Sequence, residues 1–310
     1  MNEVIKDLPK YLLAPLAGYT DAGFRRLAKK YGCDMTVTEM VSAKALTMGN
    51  SNTASLLFFD ESGKKSVQFF GHDPSVFADA VQNPLIEPFD AVDVNMGCPQ
   101  RKIAGNGDGC ALMDNPQLAM EIIKALKFHT TKPVSVKFRK GYGDKNTAVD
   151  FAKRCCDAGV DFITVHGRTS NMQFGGKADW QVIGEVVRAV SVPVYANGDV
   201  TDVESCKKVF EETGCYGVSI GRGAIGKPYL FAQLKGQEYN FDLYADLKEH
   251  VQVLQKIYPE KMVANEIKKH VVNYTKGMRG TKQLITSVMQ MKTSQEVLLA
   301  VKAFLATHAF

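Results

Sequence analysis

Between residues 11 and 223, short apolar runs alternate with longer stretches whose apolar residues recur at helical spacing. The short runs are YLLAPLA (11–17), MTVTEM (35–40), SVQFF (66–70), AVDVNM (91–96), PVSVKFR (133–139), FITVHGR (162–168), PVYANGD (193–199) and GVSIGRG (217–223). β-Branched and aromatic runs of this length predict strands, and the segments between them, such as DAGFRRLAKKYG and DVESCKKVFEETG, predict amphipathic helices closed by a glycine. Eight β-then-α units in succession place the chain in the α/β class as a closed (β/α)8 TIM barrel rather than an open sheet. Nearly every run begins apolar and turns to Gly, Asn, Lys, His or Arg at its carboxyl end, the face on which barrel active sites are built.

After Lys227-Pro228 the pattern becomes helical throughout, so we expect a barrel over residues 1–238 and an all-helical domain over 239–310. In the latter, Leu243, Leu247, Val251, Leu254 and Ile257 form one helical stripe, and Thr293-Ser-Gln-Glu296 reads as a capping box opening a last helix, for about four helices in all. Lys261, Lys268, Lys269, Lys276, Arg279, Lys282 and Lys292 face a single acid, Glu266, between residues 261 and 292. Such a basic face is either a solvated helix surface or a site for a polyanion.

Composition narrows the class. A chain of 310 residues suits a barrel of about 250 residues with an appendage. With 45% apolar and 23% charged residues it is an ordinary globular composition, and the net charge of +5 is too modest to signal nucleic acid without the clustering above. No run approaches the length of a membrane span, and the opening MNEVIKDLPK carries acids where a signal peptide wants an apolar stretch, so a cytoplasmic protein is expected. Seven scattered cysteines without CxxC or His/Cys spacing read as small core residues, and no metal site is expected.

The chemistry concentrates at the strand ends. DVNMGCPQRKIAGNGDG (93–109) runs from the fourth strand into a loop with four glycines and a proline, a backbone shaped for close approach. Cys98 falls just past the strand. Residue chemistry leaves open a structural cysteine, a nucleophile with His166 as the one candidate base, and a proton donor. Lys137 has parity opposite to Val134 and Val136 and faces either the lumen or the helices, and a lumen-facing lysine calls for an anion or an electron-rich ring. Arg139 follows it, and His166 and Arg168 end the sixth run. Asn197-Gly198-Asp199 and Gly221-Arg222-Gly223 close the last two runs, where barrels commonly hold phosphate on backbone N–H groups. Small residues at Pro15, Leu16 and Ala17 let a flat ligand lie on the backbone, and Gln68 has a donor and an acceptor for a heterocycle edge. Flat ring, phosphate and cation together describe FMN.

At these residues the chain resembles the tRNA-dihydrouridine synthase family of bacterial type. APLAGYTD is similar to the opening APMAGxTD motif, and DVNMGCPQRKIAGNGDG to the active-site segment. VQFFGHDP, VKFRKG, VHGRT, NGD, GRGAIGKPYLF and KKHVVNYTKGMRG follow in family order, over about residues 11–290. Leu16, Tyr19 and the KPYLF form depart slightly from the pattern. The resemblance implies a cytoplasmic, FMN-dependent enzyme, supplied by NADPH (or NADH), that reduces the C5–C6 bond of uridines in tRNA. Hydride would go to C6 and a proton from Cys98 to C5. It further implies FMN contacts at Pro15, Leu16, Ala17, Gln68, Lys137, His166, Asn197, Gly198, Asp199, Gly221 and Arg222, with Asn95 between flavin and uracil. Lys102, Arg139, Arg168, Lys268, Lys269 and Arg279 are the expected RNA contacts, and we expect a monomer needing no protein partner and no membrane. The alternatives are another FMN barrel oxidoreductase acting on a free pyrimidine-like molecule, and a flavin-free RNA-binding barrel.

Overall fold

The computed structural model describes residues 8–307, so the acidic opening segment and the outer ends of both expected domains lie outside the described residues. Strands β1 (Tyr11–Leu13), β2 (Met35–Ser42), β3 (Lys65–Phe70), β4 (Ala91–Met96), β5 (Val134–Arg139), β6 (Phe162–His166), β7 (Val194–Asn197) and β8 (Gly217–Ile220) form one closed parallel barrel in sequence order. Each expected run coincides with a strand, though β2 continues past its run to Ser42 and β3 begins one residue earlier, at Lys65. The runs at β1, β7 and β8 leave the ladder early: residues 14–17, 198–199 and 221–223 are loop, which sets their backbone groups at the barrel mouth.

The helices are α1 (Ala22–Lys30), α2 (Ala43–Thr47), α3 (Ser51–Ser55), α4 (Pro74–Val81), α5 (Arg101–Ala104), α6 (Pro116–His129), α7 (Ala148–Asp157), α8 (Trp180–Ala189), α9 (Val203–Thr213) and α10 (Leu230–Leu234). After them come α11 (Leu243–Leu254), α12 (Glu260–Tyr274), α13 (Thr281–Gln290) and α14 (Ser294–Ala306). Polar side chains start several of them: Asp21, Asn115, Asp179 and Asp202 each accept a backbone N–H of the first turn.

The two-residue period of the strands sorts their side chains. Val92, Val94 and Met96 of β4, and Val134, Val136 and Phe138 of β5, are buried in the main core shared with the helices. The opposite parity, Asp93, Ser135 and Lys137 with Ser66 and Thr164, lines a small cavity inside the barrel. Below it Leu12, Met35, Ala91, Phe162 and Tyr195 form a separate apolar plug. Lys137 therefore faces the lumen.

Helices α11–α14 build a second apolar cluster from Leu247, Val251, Leu254, Ile267, Val288 and Val301, joined by Leu27 of α1. The expected stripe is carried by α11, except that Ile257 lies beyond its end at Leu254. The capping box at Thr293 and Glu296 is formed. A polar joint adds to this contact. Asp21, which caps α1, also accepts from His250 Nε2 of α11 at 2.7 Å and His270 Nε2 of α12 at 3.1 Å, all three buried. The two histidines hold the Asp21 carboxyl well below its ordinary range despite burial, while burial, then His250, pushes His270 down to about 4. Gly23 makes the approach possible, since a Cβ there would lie 2.7 Å from His250 Nε2 and 2.9 Å from its carbonyl oxygen. Among the described residues no helix is long and apolar enough to cross a membrane.

Candidate active site at the barrel mouth

Cys98 lies two residues past β4, half-buried at the carboxyl face. Its position is set from both sides. The Asn95 Oδ1 accepts the Gly97 N–H at 3.1 Å and the Cys98 N–H at 2.9 Å, turning the chain out of the strand. The Cys98 carbonyl accepts the Cys110 N–H at 3.1 Å. Gly109 is required beneath it: φ is +60°, and a Cβ would lie 2.8 Å from the Cys98 carbonyl oxygen.

Burial raises the Cys98 thiol above its ordinary range, with the Gln100 backbone, Arg139 and Lys137 pulling in the other direction. Among the described residues no base is hydrogen-bonded to the sulfur; His166, the one candidate, instead lies 3.4 Å from the Arg168 guanidinium. Without a base the thiol stays protonated, which suits a proton donor and removes the support for a nucleophile.

Lys137 ends its reach in the lumen near Asp93, and among the described residues no acceptor is hydrogen-bonded to its ammonium. Burial, then Arg139, lowers it to about 8. Burial likewise raises Asp93 to about 6, against the pull of Ser135, Gln68 and Lys137. His166 is driven strongly down by burial and by Lys137, Arg139, Arg168 and Arg222, so it is a neutral ring in a cationic well.

At the ends of β7 and β8 the backbone supplies an anion site. Among the described residues the N–H groups of Gly198, Asp199, Gly221 and Arg222 donate to no acceptor within the protein. Gly198 adopts φ +116°, and a Cβ on it would meet Ala178 at 2.8 Å and His166 at 2.9 Å. Asp199 holds φ +60° because its carboxylate is anchored by Arg168 through both oxygens at 2.8 Å and by the Ala178 N–H at 2.7 Å. Arg222 is exposed, 3.6 Å from Asp199, with its guanidinium 4.8 Å from the centre of the Phe174 ring. Orphaned N–H groups and the Arg222 guanidinium beside a mouth lined by Pro15, Leu16 and Ala17 fit a phosphate-bearing flat cofactor.

Several expectations change. Gln68 is 0% exposed, its Nε2 donating to Asp93 at 2.6 Å and its Oε1 accepting from Asn95 at 2.9 Å, so one N–H and one lone pair of its amide are engaged within the protein and orient Asn95. Asn197 is buried with its Nδ2 spent on the Ser219 carbonyl at 2.6 Å, and the Asp199 carboxylate is spent on Arg168. Of the expected RNA contacts, Arg139 is buried and donates to the carbonyls of Gly97, Thr169 and Gln173. It ties the Cys98 loop to the loop after β6. Arg168, buried on Asp199 and the carbonyls of Gly175 and Gly176, is a bracket of the same kind. Lys268 is 8% exposed and donates to the Met291 carbonyl at 2.6 Å, closing α13 instead of offering a free cation. Lys102 and Arg279 are exposed, and Lys269, half-buried, pairs with Glu266. Sequence reasoning passed over Asp93 and Ser135; the alternation in AVDVNM and PVSVKFR was the signal, since it turns both towards the lumen.

A closed parallel barrel whose polar residues gather at the carboxyl mouth defines a (β/α)8 protein of the enzyme-bearing kind. The profile described as dihydrouridine synthase (Dus) matches residues 12–309, and the chain belongs to that family. The tRNA-dihydrouridine synthase B of Pseudomonas aeruginosa is 32% identical over 308 residues, covering 96% of this chain and 93% of that one. The probable tRNA-dihydrouridine synthase of Rickettsia conorii is 34% identical over 91% of this chain and 90% of its own, and that of Rhodobacter capsulatus is 41% identical over 73% and 71%. Among solved structures, a 2-naphthoyl-CoA reductase complex superposes with TM-score 0.59 over 76% of this chain and 52% of that one, and morphinone reductase with 0.53 over 76% and 88%. Both are 11% identical, a likeness of fold alone.

Proposed function

We propose that the protein is a tRNA-dihydrouridine synthase in which Cys98 protonates C5 of a uracil as C6 receives hydride. The observation that carries this reading is the Cys98 thiol at the mouth of a cation-rich barrel, with no base hydrogen-bonded to it among the described residues. Bound FMN, recharged by NADPH or NADH, would supply the hydride. Its phosphate would sit on the N–H groups of Gly198, Asp199, Gly221 and Arg222, its ring against Pro15, Leu16 and Ala17, with Lys137 and neutral His166 at its edge. Lys137 compensates negative charge there. Asn95 holds the Cys98 backbone at the same level.

A uracil stacked in folded RNA has to be extruded to reach this mouth. Lys102, Lys261, Lys276, Arg279 and Lys282 are exposed and would meet phosphates, while the helical segment would supply the shape that grips the RNA body. The purified protein should be yellow. Cys98→Ala should retain flavin and NADPH oxidation while dihydrouridine, measured by mass spectrometry of tRNA, falls by at least about 100-fold. Wild-type yield from that variant would refute the proton-donor role. Reduction of free uridine in place of tRNA would redirect the reading to a small-molecule oxidoreductase.

A further inference from the structure

Inside the barrel the side chains of β3, β4 and β5 form a continuous polar chain. Register places Gln68 beside Asp93 and Asp93 beside Ser135, with Asn95 beside Lys137 one layer above. Asp93 accepts from Ser135 Oγ at 2.6 Å on one oxygen and from Gln68 Nε2 at 2.6 Å on the other. Gln68 Oε1 accepts from Asn95 Nδ2 at 2.9 Å, and Asn95 Oδ1 accepts the N–H groups of Gly97 and Cys98. The chain runs unbroken from a carboxylate in the lumen to the backbone of Cys98.

Its two ends impose one polarity. A carboxylate has no proton to offer, and two backbone N–H groups have no lone pair. Between them, only one orientation of each amide makes every contact donor to acceptor. Turning Gln68 would set its oxygen against the carboxylate, and turning Asn95 would set its NH2 against two N–H groups. Gln68 and Asp93 are 0% and 5% exposed, so water cannot stand in for a lost partner.

We infer that Asp93 is a positioning residue, its carboxylate fixing Gln68 and Asn95 and through them the place of the Cys98 thiol. This rests on the reading of Cys98 as proton donor. Asp93 touches neither the reacting atoms nor Cys98; it acts through two amides. Among the described residues Lys137 on β5 is the one charged group acting on it, and its hydrogen-bond donors, Gln68 on β3 and Ser135 on β5, are neutral.

The test uses the holoenzyme and three variants. Asp93→Leu removes the acceptor and leaves a buried Gln68 N–H without a partner. Asp93→Asn keeps an acceptor for Gln68 while its NH2 donates to the Ser135 hydroxyl, which accepts as readily as it donates. Gln68→Leu breaks the chain one link on, and serves if Asp93→Leu does not fold. Asp93→Leu and Gln68→Leu should each lower kcat for dihydrouridine formation about 100-fold, with KM for tRNA nearly constant, and the double variant should be no worse than either. Asp93→Asn should restore kcat to within about threefold.

A readout independent of tRNA separates the two readings. Alkylation of Cys98 by iodoacetamide, followed by mass spectrometry of its peptide, should quicken about tenfold in both leucine variants and stay unchanged in Asp93→Asn. Unchanged alkylation and kcat in the leucine variants, or additive losses in the double variant, would overturn the inference. A wild-type enzyme that leaves tRNA uridines unreduced would sink the proposed function, while the alkylation rates would still decide the role of Asp93.

Discussion

Gly23→Ala sets helix propensity against packing, and the two predict opposite signs. Gly23 lies in the first turn of α1 with ordinary helical dihedrals, where alanine would by itself add about 0.5–1 kcal/mol of stability. The new methyl, however, points at α11. It would lie 2.7 Å from His250 Nε2 and 2.9 Å from the His250 carbonyl oxygen, and neither can yield alone. The ring is held by Asp21 at 2.7 Å, and the carbonyl belongs to the helix backbone. Relief requires α11 to retreat from α1, which strains the packing of Leu27 on the second cluster and breaks the Asp21–His250 hydrogen bond. Overpacking costs about 1–3 kcal/mol and the loss of a hydrogen bond to a charged group about 1.5–3, so the net destabilisation should be about 2–5 kcal/mol. Urea unfolding gives this number, and hydrogen exchange should localise it to α11 and α12. Gly23→Ala combined with His250→Ala, which empties the space, should be less damaged than the sum of the two single variants. Stability equal to or above wild type in Gly23→Ala would refute the reasoning.

Three further outcomes follow from the same joint and from the basic face. His270, pushed down to about 4, binds fewer protons folded than unfolded between that value and the ordinary histidine range. Stability is therefore lost as pH falls through this window, by up to about 1.4 kcal/mol per pH unit. His270→Gln should remove that component from a pH series of unfolding curves. Asp93 and Glu39, raised to about 6 and about 7, take up protons in the folded state and oppose the slope, so the difference between wild type and variant is the quantity to read. Equal slopes would contradict the buried neutral histidine. On the basic face, Lys268→Glu should cost stability, about 2–4 kcal/mol, because it buries a carboxylate against the Met291 carbonyl. Lys269→Ala should leave stability nearly unchanged and weaken tRNA binding more at low salt than at high, as filter binding across a salt series would show. Equal loss of RNA affinity without destabilisation in Lys268→Glu would reverse that assignment.

Much of this protein is legible in one dimension. Eight strands, their order, the barrel and the glycine-bounded Cys98 loop follow from periodicity and from glycine placement, because strand and turn chemistry are local. Lys137 was half legible: parity opposed it to its valines, but lumen and helix face are equivalent until the sheet closes. Arg139, Arg168 and Lys268 show where local reading stops. A cation in a sequence looks free. Whether a carbonyl one strand or one helix away has claimed it depends on how those segments fold against it. Gln68 was legible as a polar residue on a strand, yet its partners, Asp93 and Asn95, sit on the neighbouring strand and take up its amide. The meeting of Asp21 with His250 and His270 spans more than 220 residues. Local propensity and pattern thus determined the elements and the chemical inventory of the mouth. Closure of the barrel and docking of the helices decided which polar groups remain for a ligand, because a buried hydrogen-bonding group must find a partner, and only the folded chain supplies one.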